Sequence, residues 1–141
     1  MKKLALIFAL SVVATVAIAA PALPAAPEDI RTGSDLAAAC HALVGNDTSE
    51  AGAAAATACR HFLGTMVLRV YKATPAGMPT QFNRIGPKGD ETACFRLPSS
   101  LKYTDFAVLV LSYFERHPEI ATRPAFELGA RTLATNYPCK D

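Results

Sequence analysis

The side chains that could bind a soft metal ion are the four cysteines and three histidines: Cys40, His41, Cys59, His61, Cys94, His117 and Cys139. Zinc and copper sites commonly use Cys-x-x-Cys or His-x-x-x-His pairs, because that spacing lets both ligands reach one ion. Neither pair occurs in this chain. Cys40 and His41 are neighbours, and neighbours on a helix point about 100° apart. The sequence therefore predicts neither a metal site nor a cofactor.

Catalytic motifs are absent as well. The chain contains no Gly-x-Ser-x-Gly and no His-Glu-x-x-His, and the run from Gly86 to Gly89 lacks the flanking strand and helix of a phosphate-binding loop. Glu115 and Glu119 flank the His117-Pro118 turn, but nothing predicts a dry cleft that would raise the pKa of either carboxyl group. We therefore expect a binding protein with no catalytic residues.

The first 20 of the 141 residues have the features of a secretory signal peptide. Lys2 and Lys3 precede an uncharged run over residues 4–20, which ends in small residues at Ala17 and Ala19. An uncleaved membrane anchor is the alternative, because a spanning helix needs roughly 20 apolar residues. Once the signal is cleaved, no membrane association is expected. Residues 21–32, rich in proline and alanine, are predicted to be a tether, and residues 33–141 to be the folded domain.

The charge balance argues against nucleic acid as a partner. The whole chain has 14 lysines and arginines and 12 acidic residues, and two of the lysines belong to the signal. The mature chain therefore carries equal numbers of the two charges. A neutral chain lacks the dense positive surface that drives binding to phosphates.

Apolar spacing predicts an all-α fold, a small disulfide-stabilised bundle of four to five helices. Ser34 is the expected cap of a first helix over 34–44, and Ser49 belongs to a turn that offers several caps for a second. The second helix carries a stripe from Ala55 to Val70. A third is expected over 104–117 and a fourth after Pro124, with Thr122 or Arg123 as its cap.

The helix arrangement favours one pairing of the cysteines. Export places them in an oxidising compartment, where thiols form disulfides. Helices three and four are joined by a short turn, so Cys94 before the third helix should lie beside Cys139 after the fourth. Cys40 and Cys59 then join helices one and two. A nested pairing is the alternative.

Residues 74–93 show no helical period and contain several prolines and glycines. A connection of about 20 residues in a small domain is commonly functional or mobile. It also carries Met78, Phe82 and Ile85, which a loop in contact with water alone does not need. Two interpretations follow: these side chains cover the core as a lid, which is slightly favoured, or they bind a partner.

Several short motifs together resemble the Rap/Tai family of periplasmic immunity proteins. The motifs are Cys59-x-x-Phe62-Leu63-Gly64, Cys94 followed by Pro98, Tyr113-Phe114-x-x-His117-Pro118-Glu119, Pro124-Ala125-x-x-Leu128 and Tyr137-Pro138-Cys139. The resemblance covers about residues 33–140. It implies a periplasmic protein that inhibits a peptidoglycan amidase delivered by type VI secretion, by occluding the active site of that effector.

The resemblance also implies a cognate effector as partner and allows a homodimer. It does not carry over effector-binding residues, so the contact surface is predicted from the residues themselves: Met78, Phe82, Arg84 and Ile85 in the long connection. The alternative function is a general periplasmic stress or chaperone-like protein without a dedicated effector. Three histidines and a balanced charge give little reason to expect the sharp acid response of such a chaperone.

Overall fold

A computed structural model describes residue 17 and residues 19–140. Most of the predicted signal peptide, residues 1–16 and 18, lies outside the described residues. The elements in chain order are α1 (Gly33–Val44), α2 (Glu50–Ala73), β1 (Thr80–Ile85), β2 (Glu91–Phe95), α3 (Tyr103–Arg116) and α4 (Ala125–Asn136), with short 3-10 helices at Pro27–Asp29 and Pro118–Thr122. Among the described residues, no helix combines the length and the hydropathy needed to cross a bilayer.

The prediction of an all-α fold was wrong, because the long connection after α2 contains a two-stranded antiparallel hairpin, β1 and β2. Its turn uses Gly86 and Gly89, both with positive φ, a conformation that glycine adopts without strain. The register shifts between Asn83 and Ile85. This bulge breaks the alternation of buried and exposed side chains that identifies a strand in a sequence. The fold is mixed α and β.

Two of the four α-helices, α1 and α2, begin where a short polar side chain satisfies one of the first free backbone N–H groups. Thr32, and not Ser34 as predicted, caps α1: its hydroxyl accepts from the Asp35 N–H at 3.3 Å, and the Asp35 carboxylate accepts from the Thr32 N–H at 2.8 Å. Ser49 caps α2 by accepting from the Gly52 N–H at 3.0 Å. The predicted cap of α4 was also wrong, since its N-cap is Pro124 without a side-chain hydrogen bond.

The core lies where α1 packs against α2 and α3, with α4 beside them. Its largest fully buried side chains include Leu36, Leu63, Phe106 and Leu133 from the four helices and Phe95 from β2. The strand residue shows that the hairpin is part of the core and not an appendage. Burying aromatic and aliphatic side chains of this size contributes roughly 1.5–3 kcal/mol each.

The segment predicted to be a tether contributes to the fold at its end. Ile30 is buried, the Gly33 N–H donates to the Arg123 carbonyl at 2.8 Å, and Thr32 forms an isolated bridge with Pro124. These contacts attach the chain before α1 to the start of α4. The ordered domain therefore includes residues that precede position 33.

Candidate functional site

The four cysteines form two disulfides. Cys40 is bonded to Cys59, with Cα atoms 5.2 Å apart, and Cys94 is bonded to Cys139, with Cα atoms 5.5 Å apart. These are the pairs that the helix arrangement favours, and the nested alternative is not formed. The first disulfide joins α1 to α2 inside the core, and the second joins β2 to the residues after α4. Both sulfur pairs are therefore structural, and no free thiol is left among them to bind metal.

The other side chains considered for chemistry lie apart from one another. His41 is exposed on α1 and His61 on α2, while the His117 ring stacks on Tyr113 with centroids 4.0 Å apart. His117 Nδ1 lies 3.2 Å from a carboxylate oxygen of Glu119, and Glu115 is exposed on α3. In the part of the chain that the structure describes, no three His, Cys, Asp or Glu side chains converge on a point that could hold a metal ion.

The predicted contact surface falls on the hairpin and the segment before it, but its four residues do not share one environment. Met78 is 53% exposed and Arg84 is exposed on β1. Phe82 is half-buried, with its ring centroid 5.5 Å from that of Phe95. Ile85 is only 2% exposed. The prediction for Ile85 needs correction, because a side chain buried in the core cannot contact a partner.

Arg84 has an unusual backbone conformation. Its φ is +62°, in the left-handed region that non-glycine residues seldom adopt, and it lies at the bulge of the hairpin. Bulges redirect a side chain and locally increase strand twist. Strained non-glycine residues also occur more often at functional sites than elsewhere. The bulge thus presents the Arg84 guanidinium on the outside of β1, two residues before the turn.

An apolar groove of about 390 Å³ adjoins the hairpin. One exposed side of α2 forms its floor, and side chains from β1, α4 and the first 3-10 helix form its walls. The lining residues are Pro27, Glu28, His61, Phe62, Thr65, Met66, Arg69, Phe82 and Phe126. Phe126 is 45% exposed, an unusual position for a large aromatic ring. Phe82 belongs to both the hairpin and the groove, so the two form one continuous surface.

A cluster of charged residues, here called the Glu127 cluster, connects the hairpin to α4. It consists of Glu127 and Arg131 on α4, Arg123 just before α4, and Glu91 on β2. Glu127 accepts from Arg123 Nε at 3.1 Å and from Arg131 Nε at 3.0 Å. Arg131 also donates to Glu91 Oε2 at 2.6 Å. Because Glu127 is 1% exposed, its charge is compensated by these two arginines and not by water.

Contacts within the Glu127 cluster shift the pKa values of Glu127 and Arg131. Burial acts to raise the pKa of Glu127, but the hydrogen bonds and positive charges of Arg123 and Arg131 outweigh burial and hold that pKa below its ordinary value. Burial likewise acts to lower the pKa of Arg131, and its hydrogen bonds to Glu91 and Glu127 raise it instead. The carboxylate is therefore ionised at neutral pH despite its burial.

Sequence reasoning did not identify Glu127. A lone glutamate on a predicted helix is ordinarily a solvated charge, and Glu115 and Glu119 were considered instead. The available signal was the spacing of Arg123, Glu127 and Arg131. Positions four apart lie on one side of a helix, and two arginines around one carboxylate on the buried side of α4 indicate a compensated charge.

The family model of the Rap1a immunity proteins matches residues 32–139. The match runs from the cap of α1 to the second disulfide, and so includes all four α-helices and the hairpin. No curated protein and no solved structure shows a significant match to the chain. A family match over this much of the sequence is sufficient to assign membership: the chain belongs to the Rap1a immunity protein family.

Proposed function

We propose that this immunity protein binds a peptidoglycan amidase delivered by type VI secretion and occludes its active site. One structural observation carries the proposal: the hairpin exposes Arg84, and the segment before it exposes Met78, beside an apolar groove that shares Phe82 with the hairpin. Inhibition by occlusion needs a complementary surface and no catalytic group. An exposed methionine, arginine and aromatic residues are the side chain types enriched in the centres of protein interfaces.

The hairpin has the shape that occlusion requires. Two strands are narrow enough to enter an active-site groove, and this hairpin is ordered by its contacts with the core, the second disulfide and the Glu127 cluster. A preordered loop loses little conformational freedom on binding, which favours affinity. The contact surface that we propose is therefore Met78, Phe82 and Arg84, without Ile85.

The proposed compartment is the periplasm. Two disulfides fit an oxidising environment, and the N-terminal features of the sequence resemble those of an export signal. A homodimer also remains part of the proposal, because a symmetric pair would present two copies of the contact surface. Sedimentation of the purified protein at several concentrations measures the oligomeric state.

The decisive experiment measures inhibition of an amidase encoded beside the gene for this chain. The protein is purified from the periplasm and mixed with the amidase and isolated peptidoglycan. Cleavage is measured as the appearance of the new amino groups that hydrolysis of amide bonds exposes. We expect inhibition to be complete near equimolar amounts, and no cleavage by the protein alone. Full amidase activity in a molar excess of the protein would contradict the proposal.

Matched variants locate the contact. Met78→Ser removes an apolar side chain just before the hairpin, and Arg84→Asn removes a charge from β1. Asparagine tolerates the left-handed backbone conformation of Arg84. Each is expected to weaken inhibition about tenfold or more if its side chain is an interface anchor. Val108→Ser on α3 is the control, since Val108 is 51% exposed but lies outside the hairpin and groove. Equal effects of all three variants would exclude the hairpin as the contact.

The chaperone-like alternative predicts a different result in a second assay. A general stress protein would suppress the aggregation of unrelated unfolded proteins and would not discriminate between amidases. Mixing the purified chain, without reductant, with an unrelated protein that aggregates on dilution from denaturant provides that comparison. Suppression of aggregation without amidase inhibition would favour the alternative.

A further inference from the structure

We propose that Glu127 is a positioning residue for the hairpin: it holds the turn between β1 and β2, residues 86–90, against α4, and its protonation loosens that turn. The position of this turn sets the orientation of Arg84. The effect of that orientation on effector binding rests on the proposed function. The positioning itself is a property of the chain alone. It can therefore be tested without an effector.

The N–H and the carbonyl of Gly86 are both hydrogen-bonded to side chains of the Glu127 cluster. Its N–H donates to Glu127 Oε1 at 3.1 Å, and Arg123 Nη2 donates to its carbonyl at 2.6 Å. Gly86 has a φ of +84°, and a Cβ atom there would lie 2.4 Å from the Glu91 carboxylate. The positive φ favours glycine at this position, and a larger residue would displace the Glu91 carboxylate that Arg131 binds.

The other side of the turn is attached through Arg131. This side chain donates to Glu127 Oε1 at 3.0 Å and to Glu91 Oε2 at 2.6 Å, and Glu91 is the first residue of β2, opposite Ile85. The first residue of the turn and the first residue after it are therefore both connected to the Glu127 carboxylate, Gly86 directly and Glu91 through Arg131. Charge-assisted hydrogen bonds of this kind are roughly twice as strong as neutral ones.

Protonation of Glu127 would weaken each contact that its own carboxylate makes. Arg123 and Arg131 would lose the negative charge between them, and the acceptor of the Gly86 N–H would become neutral. Besides the two arginines, the ionisable groups near Glu127 are Glu91 on β2, Glu119 in the second 3-10 helix and Tyr113 on α3. Glu119 lines the same small cavity of about 260 Å³, but its side chain is 71% exposed and cannot replace the buried charge.

The ionisation of the buried Glu127 carboxyl group supports its role in positioning the hairpin. The hydrogen bonds that fix the turn are also the ones that keep its carboxyl group ionised, with its pKa below the ordinary value although burial acts in the opposite direction. Ionisation of Glu127 and attachment of the turn are therefore linked. A change in either one must appear in the other.

Amide hydrogen exchange measured by NMR on the isolated protein tests the proposal. We compare protection factors of the β1 and β2 amides with those of α2 in the wild type, in Glu127→Gln and in Glu119→Gln, the matched control. In Glu127→Gln, hairpin protection should fall about tenfold relative to α2, because charge-assisted hydrogen bonds are lost. Glu119→Gln should leave this ratio unchanged. An unchanged ratio in Glu127→Gln would overturn the proposal.

A pH series on the wild type decides the question even if Glu127→Gln does not fold. The Gly86 amide proton should shift as the carboxylate that it contacts becomes neutral, and over the same pH range protection should fall more in the hairpin than in α2. An equal loss of protection in α2 and the hairpin, or a Gly86 proton that does not titrate, would overturn the proposal. Neither result bears on amidase inhibition, so the two proposals can fail separately.

Discussion

Cys94 is bonded to Cys139 across 45 residues of sequence, so the second strand of the hairpin is covalently joined to the residues that follow α4. The Arg96 N–H donates to the Tyr137 carbonyl at 2.9 Å beside this bond. The Glu127 cluster fixes the turn of the same hairpin near the other end of α4. A single helix thus supports the hairpin at its base and at its turn.

The two disulfides should differ in their resistance to reduction. Cys40 and Cys59 are completely buried, whereas Cys94 and Cys139 are half-buried. A thiolate attacks a disulfide only where it can reach a sulfur atom. Under native conditions with increasing amounts of reductant, alkylation followed by mass spectrometry should label Cys94 and Cys139 first. Simultaneous labelling of all four cysteines would contradict this order.

Removing the second disulfide should destabilise the protein without unfolding the helices around the first. Closing a loop of this length restricts the unfolded chain by roughly 4 kcal/mol in the loop-entropy model. Replacement of Cys94 and Cys139 by serine together should lower the free energy of unfolding by up to that amount, measured by urea denaturation. An unchanged unfolding midpoint would show that the cross-link does not restrict the unfolded state.

Ile85 should behave as a core residue, although the sequence had indicated a partner contact. Ile85→Ala removes a side chain that is 2% exposed, and such truncations cost about 3 kcal/mol. Leu68→Ala on α2 is the control, since Leu68 is 54% exposed and should change stability by less than about 0.5 kcal/mol. Guanidinium unfolding measures both. Similar losses for the two variants would contradict the burial of Ile85.

Gly33 is required for the close approach of α1 to the second 3-10 helix. A Cβ atom at this position would lie 2.2 Å from the Ile120 carbonyl oxygen, which is part of the backbone and cannot easily move. Gly33→Ala should therefore destabilise the fold by about 1–3 kcal/mol.

Gly129→Ala provides the comparison for Gly33→Ala. Its Cβ would meet only the flexible end of Met66, with Sδ at 2.6 Å, and alanine favours a helix interior by up to about 1 kcal/mol over glycine. We expect Gly129→Ala to be close to neutral in thermal unfolding. A larger loss for Gly129→Ala than for Gly33→Ala would refute the argument from backbone contact.

The helices could be predicted from the sequence because each carries a long apolar stripe. The stripe from Ala55 to Val70 lies in the observed α2, and the predicted third helix agrees with α3 to within one residue at each end. The hairpin could not be predicted in the same way, because its strands are short and the bulge at Arg84 interrupts their alternation. The spacing of apolar residues identifies a helix over about 12 or more residues, but over about five or six it does not distinguish a helix from a strand.

The candidate site was predicted less well than the helices. Exposure of Arg84 and burial of Ile85 depend on which side of the hairpin faces the core, and the register that decides this is set by the turn and the bulge. Glu127 was missed because burial of a charge depends on tertiary contacts with the Gly86 turn. A sequence shows that a carboxylate has two arginines within reach, but it does not show which side of the helix is covered.

The stability of the whole protein should depend on the ionisation of Glu127. Its pKa is depressed in the folded protein, so the unfolded chain binds a proton at higher pH than the folded chain does. The stabilisation is therefore complete above the unfolded pKa, about 4.3 for a glutamate. It decreases as the pH falls below that value and through the lower pKa of the folded state.

Glu127→Gln should remove this pH dependence. At pH 7 we expect a loss of about 3 kcal/mol in the free energy of unfolding, because the variant leaves Arg123 and Arg131 without their shared counter-charge. The difference between wild type and variant should narrow as the pH is lowered from 5 to 3, as measured by urea unfolding at each pH. Exposed Glu119, replaced by glutamine, should show no such convergence. A difference that stays constant over this range would mean that Glu127 contributes through packing and not through its charge.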